Sequence, residues 1–177
     1  MRMIEVGLVS GRVDLVDGEV IEMPAAMGDR HAISRERVTR WLHNSFPRPY
    51  FVRSQETHRF AEGLTREPDA ALLTREPRPD ERLHELPLIV IEVSDESLHY
   101  DLAVKRLEYA RVGVPEYWVI DIPHRRVRIF REPDPNATDA ERAYRVDRIA
   151  EGAAEIGPLC QPAAKTTAEA LLPPAGF

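Results

Sequence analysis

The stretch "LPLIVIEVSDES", residues 86–97, decides how this chain folds. Its apolar run from Leu88 to Val93 is rich in β-branched residues and flanked by turn formers, a pattern typical of a strand buried on both faces. Glu92 interrupts that run. An ionised carboxylate inside a buried strand has a large desolvation cost unless a cation or hydrogen-bond donors lie beside it. The sequence therefore predicts a buried strand and a partner for Glu92.

The segment after this strand supplies a candidate partner. Residues 100–112 predict a helix in which Lys105 and Tyr109 lie on one apolar face, so Lys105 is expected to face the sheet near Glu92. Lys105 and Lys165 are the only lysines beside 22 arginines. A lysine in so Arg-rich a chain is a candidate for a role that needs a compact amine. A plain buried salt bridge is the alternative interpretation.

The rest of the chain alternates strands and helices. Residues 13–23 predict a hairpin about Asp17 and Gly18, and residues 24–46 contain a helix N-capped by Asp29. Further strands are expected near residues 50–55, 57–62, 69–74, 115–121, 125–131 and 143–150. This order predicts a mixed sheet with helices packed on it, in the α/β or α+β class. Residues 1–157 are expected to form one domain, with residues 158–177 a C-terminal tail packed on it.

Composition restricts the function classes. With 43% hydrophobic and 31% charged residues, the chain is expected to be an ordinary globular protein. The single cysteine, Cys160, excludes an internal disulfide framework and a cysteine-based zinc cluster. Apolar runs too short to span a bilayer predict a cytoplasmic protein with no membrane partner.

Charge is distributed unevenly along the chain. Residues 29–66 contain eight Arg and four acidic residues, whereas residues 67–101 contain three Arg and ten acidic residues. A basic segment beside an acidic cluster suits a protein that binds a polyanion near metal-binding carboxylates. An unevenly charged solvated surface is the commoner explanation of such a pattern.

Two further carboxylates belong with Glu92. Asp69 begins a strand 23 residues earlier, and Glu22 shares the apolar face of the hairpin. Several acids that converge on one lysine exceed what a salt bridge needs. They are the hard oxygen ligands that Mg²⁺ prefers.

These segments resemble a known group of enzymes. The order Pro68-Asp69, then Glu92 in an apolar strand, resembles the PD-(D/E)XK nuclease superfamily. The segments "DGEVIEM", "EPDAALL", "LPLIVIEVSDES", "DLAVKRLEYARVGVPEYWVID" and "RRVRIFR" are similar to the bacterial "putative restriction endonuclease" family. The resemblance implies a restriction-endonuclease-like mixed sheet flanked by helices, with an N-terminal hairpin. The superfamily places its lysine where this chain has Ser94; in this family it lies on the next helix, which matches Lys105.

The resemblance also implies roles for the site residues. Asp69, Glu92 and Lys105 would be catalytic. Asp69, Glu92 and the backbone carbonyl of Val93 would bind Mg²⁺ or Mn²⁺, with Glu22 as an additional ligand. Lys105 would orient or deprotonate the attacking water and offset charge on phosphorus. The substrate implied is a phosphodiester bond, in DNA above all, and a homodimer would suit cleavage of both strands.

Three other residues are candidates for contact with nucleic acid. His31 would contact phosphate or line the site edge, although a capping or packing histidine is the commoner case. Arg126 and Arg128 would follow a phosphate backbone, or else protect an edge strand by charge. Two alternatives to a nuclease stay open: a non-catalytic module that binds nucleic acid or protein, and a structural ion-pair cluster.

Overall fold

The computed structural model describes residues 28–78, 81 and 84–177, and the backbone of residues 13–16 and 19–22. Strands β1 (Val13–Val16) and β2 (Glu19–Glu22) pair as the predicted antiparallel hairpin, with Val13 opposite Glu22. The predicted turn residues and the side chain of Glu22 lie outside the described residues.

A six-stranded mixed sheet forms the centre of the protein. The remaining elements are α1 (Asp29–Ser45), β3 (Phe51–Arg53), β4 (His58–Ala61), β5 (Leu64–Arg66), β6 (Ala70–Leu73), β7 (Ile89–Ser94), α2 (Leu98–Tyr100), a π-helical turn (Asp101–Lys105), α3 (Arg106–Arg111), β8 (Glu116–Asp121), β9 (Arg126–Pro133), β10 (Tyr144–Glu151), β11 (Glu155–Ile156), β12 (Thr166–Thr167) and α4 (Ala168–Leu171). The central sheet has the order β10-β9-β8-β7-β6-β3. Strands β7 and β8 are parallel and the other neighbours antiparallel. The predicted mixed sheet with flanking helices is confirmed.

Strand β7 is buried on both faces along all six residues. Ile91 packs in one apolar cluster with Val38 of α1, and Val90 packs in the opposite cluster with Tyr109 of α3. A parallel neighbour needs a crossover connection, and the helical segment from α2 to α3 provides it between β7 and β8. Because helices cover both faces, the strand is apolar throughout rather than alternating.

The other elements surround this core. Strands β2, β1, β5 and β4 form a four-stranded sheet in that order, and β11 pairs with β12. From the C-terminal segment, Leu171 and Leu172 are buried in the same cluster as α1. Among residues 28–78 and 84–177, no helix combines the length and hydropathy needed to cross a membrane.

Two predicted helix starts are wrong in detail. Helix α1 begins at Asp29 itself, and Gly28 occupies the N-cap position without a side-chain hydrogen bond. The helix expected from Tyr100 begins at Leu98 and contains the π-helical turn, in which the N–H of Arg106 donates to the carbonyl of Asp101. Apolar periodicity locates a helix, but cap geometry and an extra residue in one turn leave no periodic signal.

Candidate active site

Asp69 and Glu92 occupy opposed positions at the end of the β6–β7 ladder. Ala70 pairs with Ile91, so the next opposed pair in this register is Asp69 and Glu92, with side chains on one face. The N–H of Val93 donates to Oδ2 of Asp69 at 2.9 Å. The N–H of Asp69 lies 3.4 Å from Oε2 of Glu92. Each carboxylate is therefore held by main chain of the opposite strand, where a regular ladder would have continued.

Lys105 and Tyr109 approach Glu92 from the helical side. The Nζ of Lys105 lies 3.2 Å from Oε2 of Glu92. The hydroxyl of Tyr109 donates to Oε1 of Glu92 at 2.7 Å. Helical spacing indicated that both residues face the sheet, and Tyr109 is buried in an apolar cluster. The structure adds a hydrogen bond from that core residue to the site.

Asp101 is a member of the site that sequence reasoning left without a role. Its Oδ1 lies 3.0 Å from the Nζ of Lys105, four residues later. Its Oδ2 accepts hydrogen bonds from Ser94 at 2.7 Å and from Ser97 at 2.6 Å. An acid four residues before a lysine on a helix is a recognisable pairing signal. No sequence spacing, by contrast, indicates that Ser94 and Ser97 would contact Asp101.

Burial sets the electrostatics of the cluster. It raises the pKa of Glu92 to about 8, although Lys105 lowers this pKa, and the charge of Asp69 raises it further. Burial alone would lower the pKa of Lys105, but the carboxylates of Glu92 and Asp101 outweigh it and raise that pKa above its ordinary value. Lys105 is thus a cation at neutral pH, whereas burial favours the protonated form of Glu92.

Asp69 has the opposite tendency to Glu92. Burial raises its pKa, but hydrogen bonds from His31 and from the Val93 N–H, together with the charges of His31 and Lys105, outweigh burial and lower it. Asp69 is therefore the carboxylate that stays ionised most readily. A cation bound between the two would favour the charged form of Glu92 as well.

His31 lies at the edge of this cluster. Its Nε2 is 3.2 Å from Oδ2 of Asp69, and its side chain is 12% exposed. The Nδ1 atom is buried, with no hydrogen-bond partner within the described part of the chain. The structure therefore brings His31 from the start of α1 to the carboxylates, a contact across 38 residues that no local pattern could indicate.

Arg126 and Arg128 lie outside the cluster. Arg126 Nε is 2.7 Å from Oδ2 of the fully buried Asp121, and Arg128 forms an ion pair with Asp147. Strand β9 lies between β8 and β10, so the edge-strand explanation of these arginines is wrong. Their charges are instead partners of acids on the two neighbouring strands.

The donor set suits a magnesium or manganese ion of the kind that the resemblance implies. Asp69 and Glu92 offer carboxylate oxygens, and no described residue hydrogen-bonds Oδ1 of Asp69. The N–H of Val93 contacts Asp69, and the carbonyl of the same residue is the third ligand that the resemblance implies. Among described residues, no group of three His, Cys, Asp or Glu is placed to bind a metal. Mg²⁺ commonly takes one or two carboxylates and keeps several waters, so this pair fits its chemistry.

Comparisons with known proteins found a matching family model and a similar solved structure. The family model described as "Uma2: putative restriction endonuclease" matches residues 9–156. Among solved structures, the fold is similar to the crystal structure of a protein described as a putative nuclease belonging to DUF820, from Anabaena variabilis ATCC 29413, with a TM-score of 0.68. The two chains are 13% identical over 96% of each, so this likeness concerns the fold. No curated protein matches the sequence.

Proposed function

The chain belongs to the Uma2 putative restriction endonuclease family, and from this membership we propose that it is a metal-dependent nuclease that hydrolyses phosphodiester bonds in DNA. One observation supports this proposal above the others: a buried lysine contacts one of two opposed buried carboxylates. Isolated buried charges are costly, and titratable groups whose pKa is shifted by burial and by a charged partner cluster at functional sites.

Asp69 and Glu92, with the carbonyl of Val93, would hold Mg²⁺ or Mn²⁺. The side chain of Glu22, outside the described residues, is an additional candidate ligand. When bound, the ion supplies a Lewis acid for the scissile phosphate and lowers the pKa of a coordinated water. The protein positions both carboxylates through main-chain contacts across the strands, so little reorganisation is needed when the ion binds.

Lys105 would act as a fixed cation beside the reacting phosphate. The neighbouring carboxylates raise its pKa, so the ammonium has no free electron pair with which to accept a proton from water. Of the two roles that the resemblance implies, orientation of the water and compensation of charge on phosphorus are therefore favoured over proton abstraction. Electrostatic stabilisation of the transition state by a fixed charge is usually the largest single contribution to catalysis.

Cleavage of supercoiled plasmid and of single-stranded DNA, with Mg²⁺, Mn²⁺ or EDTA, tests this proposal. Wild type would be compared with Asp69→Asn and Lys105→Ala, and with Lys165→Ala as a matched control. Lys165 pairs on the surface with Glu155, and both side chains are more than half exposed. We expect metal-dependent nicking that is lost in the first two variants and kept in the control.

Two outcomes would contradict the proposal. Equal cleavage by all four proteins would identify a contaminating nuclease. No cleavage of any substrate by folded wild-type protein would favour the non-catalytic binding module. Thermal melting with and without Mg²⁺ tests for a bare ion-pair cluster, in which Mg²⁺ should leave Tm unchanged, whereas an ion bound to the native state alone would raise Tm.

A further inference from the structure

Ser94 stands two residues after Glu92, where the nuclease superfamily places its lysine, and its side chain points to Asp101. From this network we propose that Asp101 is a positioning residue that holds Lys105 against Glu92, with Ser94 and Ser97 fixing its carboxylate. The inference rests on the proposed function and assigns Asp101 a role in that same site. The serine at the motif position thus supports a lysine that is supplied from the helix.

The carboxylate of Asp101 is held from two directions. Two serine hydroxyls donate to Oδ2, and Oδ1 faces the ammonium of Lys105 at 3.0 Å. Rotation of the carboxylate would break all three contacts at once. Lysine side chains have high rotamer entropy, so an ammonium needs such a counter-charge to stay in one place. Glu92 supplies one contact to the ammonium of Lys105. Asp101 supplies a second contact, and together the two carboxylates define where the ammonium lies.

The backbone of the π-helical turn fixes Asp101 itself. Its carbonyl accepts from the N–H of Arg106 and from the hydroxyl of Tyr117 at 3.1 Å. Tyr117 belongs to β8, so the turn is attached to the central sheet at the strand next to Glu92. Single π-helical turns within helices are frequent at functional sites. Here the turn spans the segment whose first and last residues form the ion pair.

The side-chain contacts of Asp101 indicate an indirect role in the site. Only 1% of the residue is exposed, and its two oxygens already face the serines and Lys105. Among the proposed catalytic residues its side chain contacts Lys105, so we expect the main effect of Asp101 on cleavage to pass through Lys105. This distinguishes it from a residue that binds DNA.

The test is Asp101→Asn, which keeps the shape of the side chain and removes its charge. We expect kcat to fall by about 10- to 100-fold, the usual effect of a residue that orients a ligand or catalytic group. The KM for DNA should stay unchanged. In a double-mutant cycle on the residual rates, measured with enzyme in excess over DNA, Asp101→Asn should add nothing to Lys105→Ala, because the two residues act as one unit. Additive effects, or a change confined to KM, would overturn the inference.

Lysine NMR gives a readout that needs no activity. The chain has two lysines, so selective ¹³C and ¹⁵N labelling gives two side-chain signals, and Lys165→Arg assigns them. A held Lys105 should show distinct shifts for its two Hε protons, and Asp101→Asn should merge them. The exposed Lys165 signal is the internal control. Unchanged Lys105 shifts in the variant would overturn the inference.

Serine variants keep the test decisive if Asp101→Asn does not fold. The double variant Ser94→Ala/Ser97→Ala leaves the charge of Asp101 but removes both hydroxyl donors. It should lower kcat and increase the mobility of Lys105, as Asp101→Asn does. Wild-type activity and NMR in that double variant would contradict the inference. Absence of cleavage by wild type would instead contradict the proposed function, while the NMR comparison still reports whether Asp101 holds Lys105.

Discussion

The hydroxyl of Tyr109 and the carboxylate of Glu92 form a 2.7 Å hydrogen bond that joins helix α3 to the centre of strand β7. Lys105 faces the other oxygen of Glu92 at 3.2 Å. The π-helical turn and helix α3 therefore hold Glu92 through one cation and one neutral donor. A carboxylate with these two partners keeps its position although its burial raises its pKa to about 8.

Tyr109→Phe should lower metal-dependent cleavage while the protein stays folded. Loss of the hydroxyl removes the donor that favours the charged form of Glu92, so metal binding at a given pH should weaken, by about 10- to 100-fold for a residue of this kind. Metal titrations followed by cleavage rate and by Tm measure both effects. Tyr144→Phe is the matched control, because that buried hydroxyl donates to the carbonyl of Val114 instead. Equal metal dependence in both variants would contradict this role.

The variant His31→Ala distinguishes a role of His31 at Asp69 from a contact between His31 and phosphate. If His31 acts on Asp69, as its 3.2 Å contact indicates, cleavage should fall by about tenfold or more while DNA affinity is kept. If His31 binds phosphate instead, affinity should fall and the salt slope of binding should change by about one. Single-turnover cleavage and binding at several salt concentrations distinguish them. His43→Ala, at an exposed position of the same helix, is the control.

Acid should destabilise the protein through His58. Burial lowers its pKa from 6.5 to about 3, and the charges of His84 and Arg53 add to this shift. Between these values the unfolded chain binds the proton and the folded chain does not. Stability therefore rises with pH in that window and is lost as pH falls from 6.5 towards 3. The slope from one such group is at most about 1.4 kcal/mol per pH unit.

Urea unfolding at pH 5 and pH 7.5 measures this contribution. The non-ionisable variant His58→Gln should lose less stability than wild type between pH 7.5 and pH 5. The same loss in both proteins would mean that other groups determine the acid sensitivity.

Arg126→Gln should reduce stability and leave DNA binding unchanged. Asp121, which is fully buried, would lose a charged donor, at a cost of about 1–3 kcal/mol. Arg128→Gln would remove the ion pair with Asp147, and it should also reduce stability and leave DNA binding unchanged. The salt dependence of DNA binding is the decisive measurement. A decrease of its slope by about one in either variant would show that the arginine contacts phosphate after all.

The sequence by itself determined the centre of this protein. A continuous β-branched run defines β7, because a strand covered on both faces has no polar alternation. Helical spacing placed Lys105 and Tyr109 on the face that meets the sheet, because periodicity records which side of a helix is buried. Residue order in five segments was enough to indicate the family that the comparison over residues 9–156 then showed.

Only the tertiary structure decided which groups meet. Antiparallel register opposes Asp69 to Glu92, and the approach of α1 brings His31 to Asp69. The partners of Asp101 depend on how the chain turns after β7 and on a π-helical turn that has no apolar signature. The physical reason is that periodicity encodes burial of a face, whereas a hydrogen bond between distant residues depends on distances set only when the elements pack.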